Sequence, residues 1–333
     1  MNPTSLMVIA EAATCHGGDI TRAMELVELA ASAGADAIKF QHIHPELLYS
    51  PRITVGGSIV DNPSIAQRRS ELLSDEELKR LRNHAETCGI DFLLTIFDLQ
   101  SVNLIEALGL DTIKIASGDL TFLPLVKAVL GSDAHVLLST GMSSVAEVEQ
   151  VVMECHDQVE DNLTLLHCTS VYPCPPALAN LERIGKLRGL GLPVGYSDHT
   201  LGSWASCAAV ALGATVLEKH IRLTFGPRTA DFDHSMTEDE FGSFVSSVKN
   251  VRLAVTASPE NLSDEELVVK SRARRGLYAR TNLKAGKVIS LDDVDFLRPP
   301  TDINPMSSNE IIGMRIASDV LRGDPILRSN LRE

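Results

Sequence analysis

The chain has 333 residues, 44% hydrophobic and 22% charged, which suffices for one large core or a large domain with a small one. Its formal net charge of −14 and the lack of a long Lys/Arg run argue against a nucleic-acid partner, although a local pocket can still invert the field for an anionic ligand. No run of about 18 apolar residues exists, so no membrane span is expected, and MNPTSLMVIAEAAT lacks the basic and long apolar regions of a signal peptide.

Short apolar strands alternate with helical patterns through the first 255 residues. Strands are expected at 7–11, 37–41, 92–97, 112–117, 135–140, 163–169, 193–199 and 215–221. Helical spacing fills most gaps. One helix runs over 21–33 and closes at Gly34; another opens at the Ser74-x-x-Glu77 capping box; a third, over 145–155, follows Gly141-Met142-Ser143-Ser144. Eight strand–helix units in this length predict an α/β fold, a (β/α)8 TIM barrel over 1–255. A doubly wound sheet is the structural rival, but no G-x-G-x-x-G turn follows the first strand. Residues 42–73, with PRITVGGSIVDNP, form an extra loop expected to act as a lid or substrate contact. A charged linker with a helical patch is expected at 256–275, and a small β-rich domain at 276–333. Six cysteines scattered without CxxC pairs fit reduced thiols in a cytoplasm.

In such barrels the chemistry sits where strands end and βα loops begin. Every expected strand ends in polar residues: Glu11; Lys39 and Gln41; Thr95; Lys114, Ser117 and Asp119; Ser139 and Thr140; His167, Thr169, Ser170 and Tyr172; Ser197, Asp198 and His199; Glu218, Lys219 and His220. Two lysines among small hydroxyls suit a phosphate plus a carboxylate, since both want cations and several hydrogen bonds. His199 and His220 end adjacent strands about 4.8 Å apart, close enough to share a divalent first-row metal. The alternative is a pair of hydrogen-bonded core histidines. His42 and His44 read as solvated loop residues. Asp198 reads either as an orienter of the site or as a turn cap.

Together these stretches resemble the sialic acid (N-acetylneuraminate) synthase family. The matching segments are IAEAATCHGGD, AGADAIKFQ, FDLQSVNLIEALGLDTIKIASGDLTFLPL, LLSTGMSS, LLHCTSVYPCPP, LPVGYSDHTLG, LGATVLEKHI and LKAGKVISLDDVDFLRP, in order along the chain. The resemblance implies a barrel followed by an antifreeze-like (SAF) domain, a domain-swapped homodimer and a manganese or magnesium ion. It implies condensation of phosphoenolpyruvate with an N-acyl hexose, releasing phosphate. It makes His199 and His220 the metal ligands. Lys39, Thr95, Lys114, Ser117, Ser139 and Ser197 match positions holding phosphoenolpyruvate. Glu11 matches a carboxylate near the reacting carbons. Gln41, Tyr172 and Asp231 match sugar contacts, Asp119 and Ser170 stand at further substrate positions, and Arg298 matches an arginine reaching the neighbouring subunit's barrel.

Departures gather on the sugar side. Cys15-His16-Gly17-Gly18 stands for Asn-His-x-Gly, Ser117-Gly118-Asp119 for Ser-Gly-Glu, and Thr229-Ala230-Asp231 for Gly-Pro-Asp. Ser170 replaces a usual Asn or Glu, and Arg298-Pro299-Pro300-Thr301-Asp302 replaces Arg-Pro-Gly-x-Gly. These changes point to a modified acceptor, as in legionaminic or pseudaminic acid synthesis. Three other readings stay open: a Schiff-base aldolase using Lys39, Lys114 or Lys219, a binding protein with an inert barrel, and a synthase of 3-deoxy sugar-acid phosphates. The last group lacks this C-terminal domain.

Overall fold

Eight aliphatic runs, apolar on both faces, become the parallel strands of the computed structural model, which describes residues 6–159, 162–257 and 261–333. They are β1 (Met7–Glu11), β2 (Ala37–His42), β3 (Asp91–Ile96), β4 (Thr112–Ile115), β5 (His135–Ser139), β6 (Leu163–Cys168), β7 (Val194–Asp198) and β8 (Val216–His220). They close into a barrel, β1 pairing with both β2 and β8. The expected TIM barrel is therefore present. Of the expected strand spans, 112–117 differs most: β4 stops at Ile115, and Ser117–Asp119 turns into a short 3-10 helix.

Strand side chains alternate between two faces. Ile9, Ala37, Leu93, Leu137, Leu166 and Val216 pack together as the inner layer. Val8, Ile38, Phe40, Leu94, Val136 and Leu165 belong to the outer core beneath the helices. On β7 the inner position is Gly195, where a Cβ would lie 2.5 Å from both Leu166 Cδ2 and Val216 O. Only a glycine lets the layer close there. Two residues further along seven of these strands, the same inward face carries Glu11, Lys39, Thr95, Ser139, Cys168, Ser197 and Glu218, so the alternation itself delivers a polar mouth.

The insertion between β2 and β3 is more ordered than a plain loop. Arg52–Val55 pairs antiparallel with Ser58–Asp61, and helix Pro63–Arg69 follows. Gly56 and Gly57 join the hairpin with φ of 58° and 84°, the two positive angles a tight two-residue turn needs.

A second compact unit follows the barrel and is described from residue 261 onward. Helix Asp264–Ala273 lies in the stretch expected to be linker. In the β-rich part, β9 (Gly276–Ala279) pairs antiparallel with β10 (Val294–Leu297). Its core is Leu277, Leu283, Ile289, Val294, Ile303, Ile316 and Ile326. No helix among the described residues is long and apolar enough to cross a membrane.

Candidate active site

A cavity of about 500 Å³ opens at the C-terminal mouth of the barrel. Four buried charges form its floor. Lys39 Nζ lies 2.7 Å from Glu11 Oε2 and 3.5 Å from Glu218 Oε2, and Lys114 Nζ lies 3.3 Å from Glu218 Oε1. Lys39 also donates to Thr95 Oγ1 at 2.8 Å, Gln41 Nε2 to Glu11 Oε1 at 3.0 Å, and Ser197 Oγ to Glu218 Oε1 at 2.7 Å. Burial and the neighbouring Glu218 raise the pKa of Glu11 against the opposing pull of Lys39. Burial also pushes Glu218 upward, but Lys114 and Lys39 outweigh it and hold that carboxyl well below its ordinary range. Burial lowers Lys114. The two carboxyls thus differ in their readiness to carry a proton, although they share one ammonium.

Small donors surround this floor. Ser117 Oγ lies 3.0 Å from Cys168 Sγ and accepts from Gly141 N at 3.1 Å. Ser139 Oγ is buried without a hydrogen-bond partner. A buried orphan hydroxyl in a polar cavity marks a place where a ligand oxygen can bind.

Beside the floor is a second cluster. His220, Asp231 and His234 each bring one ligand atom within 4.8 Å of the others. The chain returns to the barrel after β8: Met236 N donates to His220 O at 2.9 Å, and Arg222 N donates to Met236 O at 2.8 Å. This parallel bridge closes the intervening loop and brings Asp231 and His234 to the mouth. Thr14 Oγ1 fixes Asp231 Oδ2 at 2.8 Å. His220 Nδ1 and His234 Nε2 are buried without hydrogen-bond partners among the described residues. Burial lowers His220 to about 3 and His199 to about 4, so both are neutral imidazoles near pH 7. Neutral imidazoles with free nitrogens around a carboxylate form a donor set that fits a divalent first-row ion.

The model of the NeuB family matches residues 26–259, and that of the SAF domain matches residues 274–332. The chain belongs to the NeuB family. An uncharacterized protein of Methanocaldococcus jannaschii is 36% identical over 97% of this chain and 94% of its own length. N,N'-diacetyllegionaminic acid synthase of Campylobacter jejuni is 34% identical over 97% of this chain and 98% of its own. The crystal structure of the N-acetylneuraminic acid (sialic acid) synthetase of Leptospira borgpetersenii superposes with a TM-score of 0.72 at 29% identity, covering 80% of this chain and 90% of that one.

In this NeuB-family barrel, Glu11, Lys39, Gln41, Thr95, Lys114, Ser117, Ser139, Ser170, Tyr172, Ser197, His199, His220 and Asp231 all line one cavity. Asp119 does not join them; the 3-10 turn after β4 carries it aside, half-buried. Arg298 is exposed in the second unit, directly after β10. His199 lies outside the tight trio, its ring centroid 5.6 Å from that of His220, and its Nδ1 donates to Thr169 O at 2.9 Å.

Several sequence expectations need correction. His42 is buried, not solvated, and hydrogen-bonds Ser101 Oγ at 2.9 Å and Asp75 Oδ1 at 3.1 Å. His167 points outward and donates to Ala179 O at 2.9 Å. Lys219 also points outward, paired with Asp198 at 3.0 Å with both side chains buried, which removes it as an imine-forming lysine. Asp198 additionally accepts from Thr200 N and Ser206 Oγ at 2.8 and 2.7 Å, so it both caps the turn and fixes the backbone around His199. Sequence reading assigned no part to Glu218 or His234. Glu218 could have been found two residues before His220, on the same strand face. His234 offered only its place three residues after Asp231.

Proposed function

We propose that this NeuB-family barrel condenses phosphoenolpyruvate with the open-chain aldehyde of an N-acyl hexose and releases inorganic phosphate. The observation that carries this reading is the juxtaposition in one cavity of a lysine–glutamate anion floor and a metal-capable trio.

Carbon 3 of phosphoenolpyruvate attacks the aldehyde carbon and forms the new carbon–carbon bond. Water adds to carbon 2, and the bond from carbon 2 to the bridging oxygen breaks to expel phosphate. Lys39, Lys114, Thr95, Ser117, Ser139 and Ser197 bind the phosphate and carboxylate through charge-assisted hydrogen bonds. Overall, one proton of the water leaves with the phosphate as carbon 2 becomes a ketone, and the other passes to the new alkoxide. Glu11 relays the proton bound for the alkoxide, because burial and Glu218 raise its proton affinity above that of an ordinary carboxylate. Glu218 stays ionised and holds both ammonium groups in place. Gln41, Ser170 and Tyr172 face the acceptor. His220, Asp231 and His234, with His199 beside them, would hold a divalent ion, manganese or magnesium. When bound, such an ion supplies Lewis-acid polarisation of the aldehyde oxygen.

The likeness to the N,N'-diacetyllegionaminic acid synthase of Campylobacter supports an acceptor more heavily acylated than N-acetylmannosamine. By the same family reading the enzyme is a domain-swapped, cytoplasmic homodimer in which Arg298 reaches the other barrel. Phosphoenolpyruvate carrying ¹⁸O in its bridging position tests the chemistry. The label is expected in the released phosphate. Label retained in the organic product would mean phosphorus–oxygen cleavage and would contradict the proposal.

A further inference from the structure

Helix Pro63–Arg69, in the insertion after β2, buries none of its residues, yet its Arg68 side chain lines the cavity alongside Tyr49, Leu48 and Asp231. Helix packing therefore does not account for Arg68. It is 24% exposed and pairs with Glu71, which is 11% exposed, at 2.9 Å. Burial disfavours the guanidinium charge, but a hydrogen bond to Tyr49 and the fields of Glu71 and Asp231 sustain it. One cation thus faces two carboxylates. The Arg68–Glu71 pair is charge-balanced by itself. A guanidinium has five N–H donors, so those not used by Glu71 and Tyr49 remain for neutral oxygens.

Resting on the synthase reading above, we infer that Arg68, restrained by Glu71, selects the acceptor. Its free N–H groups donate to carbonyl or hydroxyl oxygens of an uncharged sugar. Glu71 already neutralises Arg68, so the pair offers no net charge to an acceptor that carries a phosphate. The selectivity comes from electrostatic mismatch as well as from attraction. This assigns the insertion, expected from sequence to act as a lid or substrate contact, a definite task at the acceptor end.

The experiment compares N-acetylmannosamine with its 6-phosphate as acceptors for wild-type enzyme, Arg68→Ala, Arg68→Lys and Glu71→Gln. Wild type should favour the neutral sugar in kcat/KM by about tenfold or more, the scale of one mismatched buried contact. Arg68→Ala should raise KM for the neutral sugar about tenfold with kcat and the phosphoenolpyruvate KM within about twofold, the mark of lost uniform binding. Arg68→Lys keeps the charge without the planar fork and should rescue only in part. Glu71→Gln should narrow the preference by improving the phosphorylated sugar. Unchanged acceptor KM in Arg68→Ala, or an unchanged preference in Glu71→Gln, would overturn the inference alone. Absence of phosphate release from wild type with these two sugars and with a panel of more heavily acylated N-acyl hexoses would overturn the synthase reading itself, and this inference with it.

Discussion

Glu11 and Glu218 share the ammonium of Lys39, at 2.7 and 3.5 Å, and their environments push their proton affinities in opposite directions. Lys114 decides the difference: it reaches Glu218 at 3.3 Å and gives that carboxyl a second cation. Glu11→Gln should therefore keep the fold and lose activity by about 10²–10⁴, the range for a removed acid–base group. Its pH–rate profile should also lose one limb. Glu218→Gln should instead destabilise the protein by about 3–5 kcal/mol, because it leaves two buried ammonium groups short of a counter-charge. Chemical denaturation of both variants checks the contrast. Equal stability losses would contradict the division of roles.

The second prediction concerns the metal. Manganese titration by calorimetry should give an affinity that His220→Ala abolishes and that His234→Ala weakens about tenfold or more, as loss of a ligand or its support does. His199→Ala should weaken it less than His234→Ala. The reverse order would move the ion to the pair expected from sequence alone.

Gly195 carries a packing prediction. Its missing Cβ is what the inner layer needs, since Leu166 Cδ2 and Val216 O would each be 2.5 Å away. Gly195→Ala should cost about 1–3 kcal/mol or more by overpacking, read as a lower thermal midpoint. An unchanged midpoint would mean that the barrel relaxes more easily than close packing allows.

The barrel was legible because its strands are apolar on both faces and its inner polar residues recur two positions after inner apolar ones, as Ile9 and Glu11 or Val216 and Glu218 do. Period-2 alternation fixes which strand-end residues meet. The same rule explains the errors at His167 and Lys219, one position out of phase with the cavity. His234 was not legible, because its place depends on the backbone bridge from Met236 to His220, which no local pattern announces. Asp119 failed for a similar reason: the turn after Ser117 redirects the chain. The insertion hairpin was legible in principle, since Gly56-Gly57 between two β-branched runs is a hairpin signal.

Asp119 gives a pH prediction. Burial raises its carboxyl from the ordinary 3.8 to about 6. A carboxyl raised on folding favours the fold while protonated, and that contribution fades as pH climbs from near 4 through about 6. Asp119→Asn should thus gain on wild type across this window, by about 1 kcal/mol once solvent screening is allowed for. Thermal midpoints of the two proteins at pH 4, 5.5 and 7 check it. A constant gap would mean that the group titrates normally.

The most direct measurement is phosphate release from phosphoenolpyruvate with manganese, across a panel of N-acyl hexoses, with and without EDTA. Release should require both a sugar and the metal, with a modified, uncharged N-acyl hexose as the best acceptor. Release that persists in EDTA would contradict the role given to His220, Asp231 and His234, and release with no sugar would contradict the condensation itself.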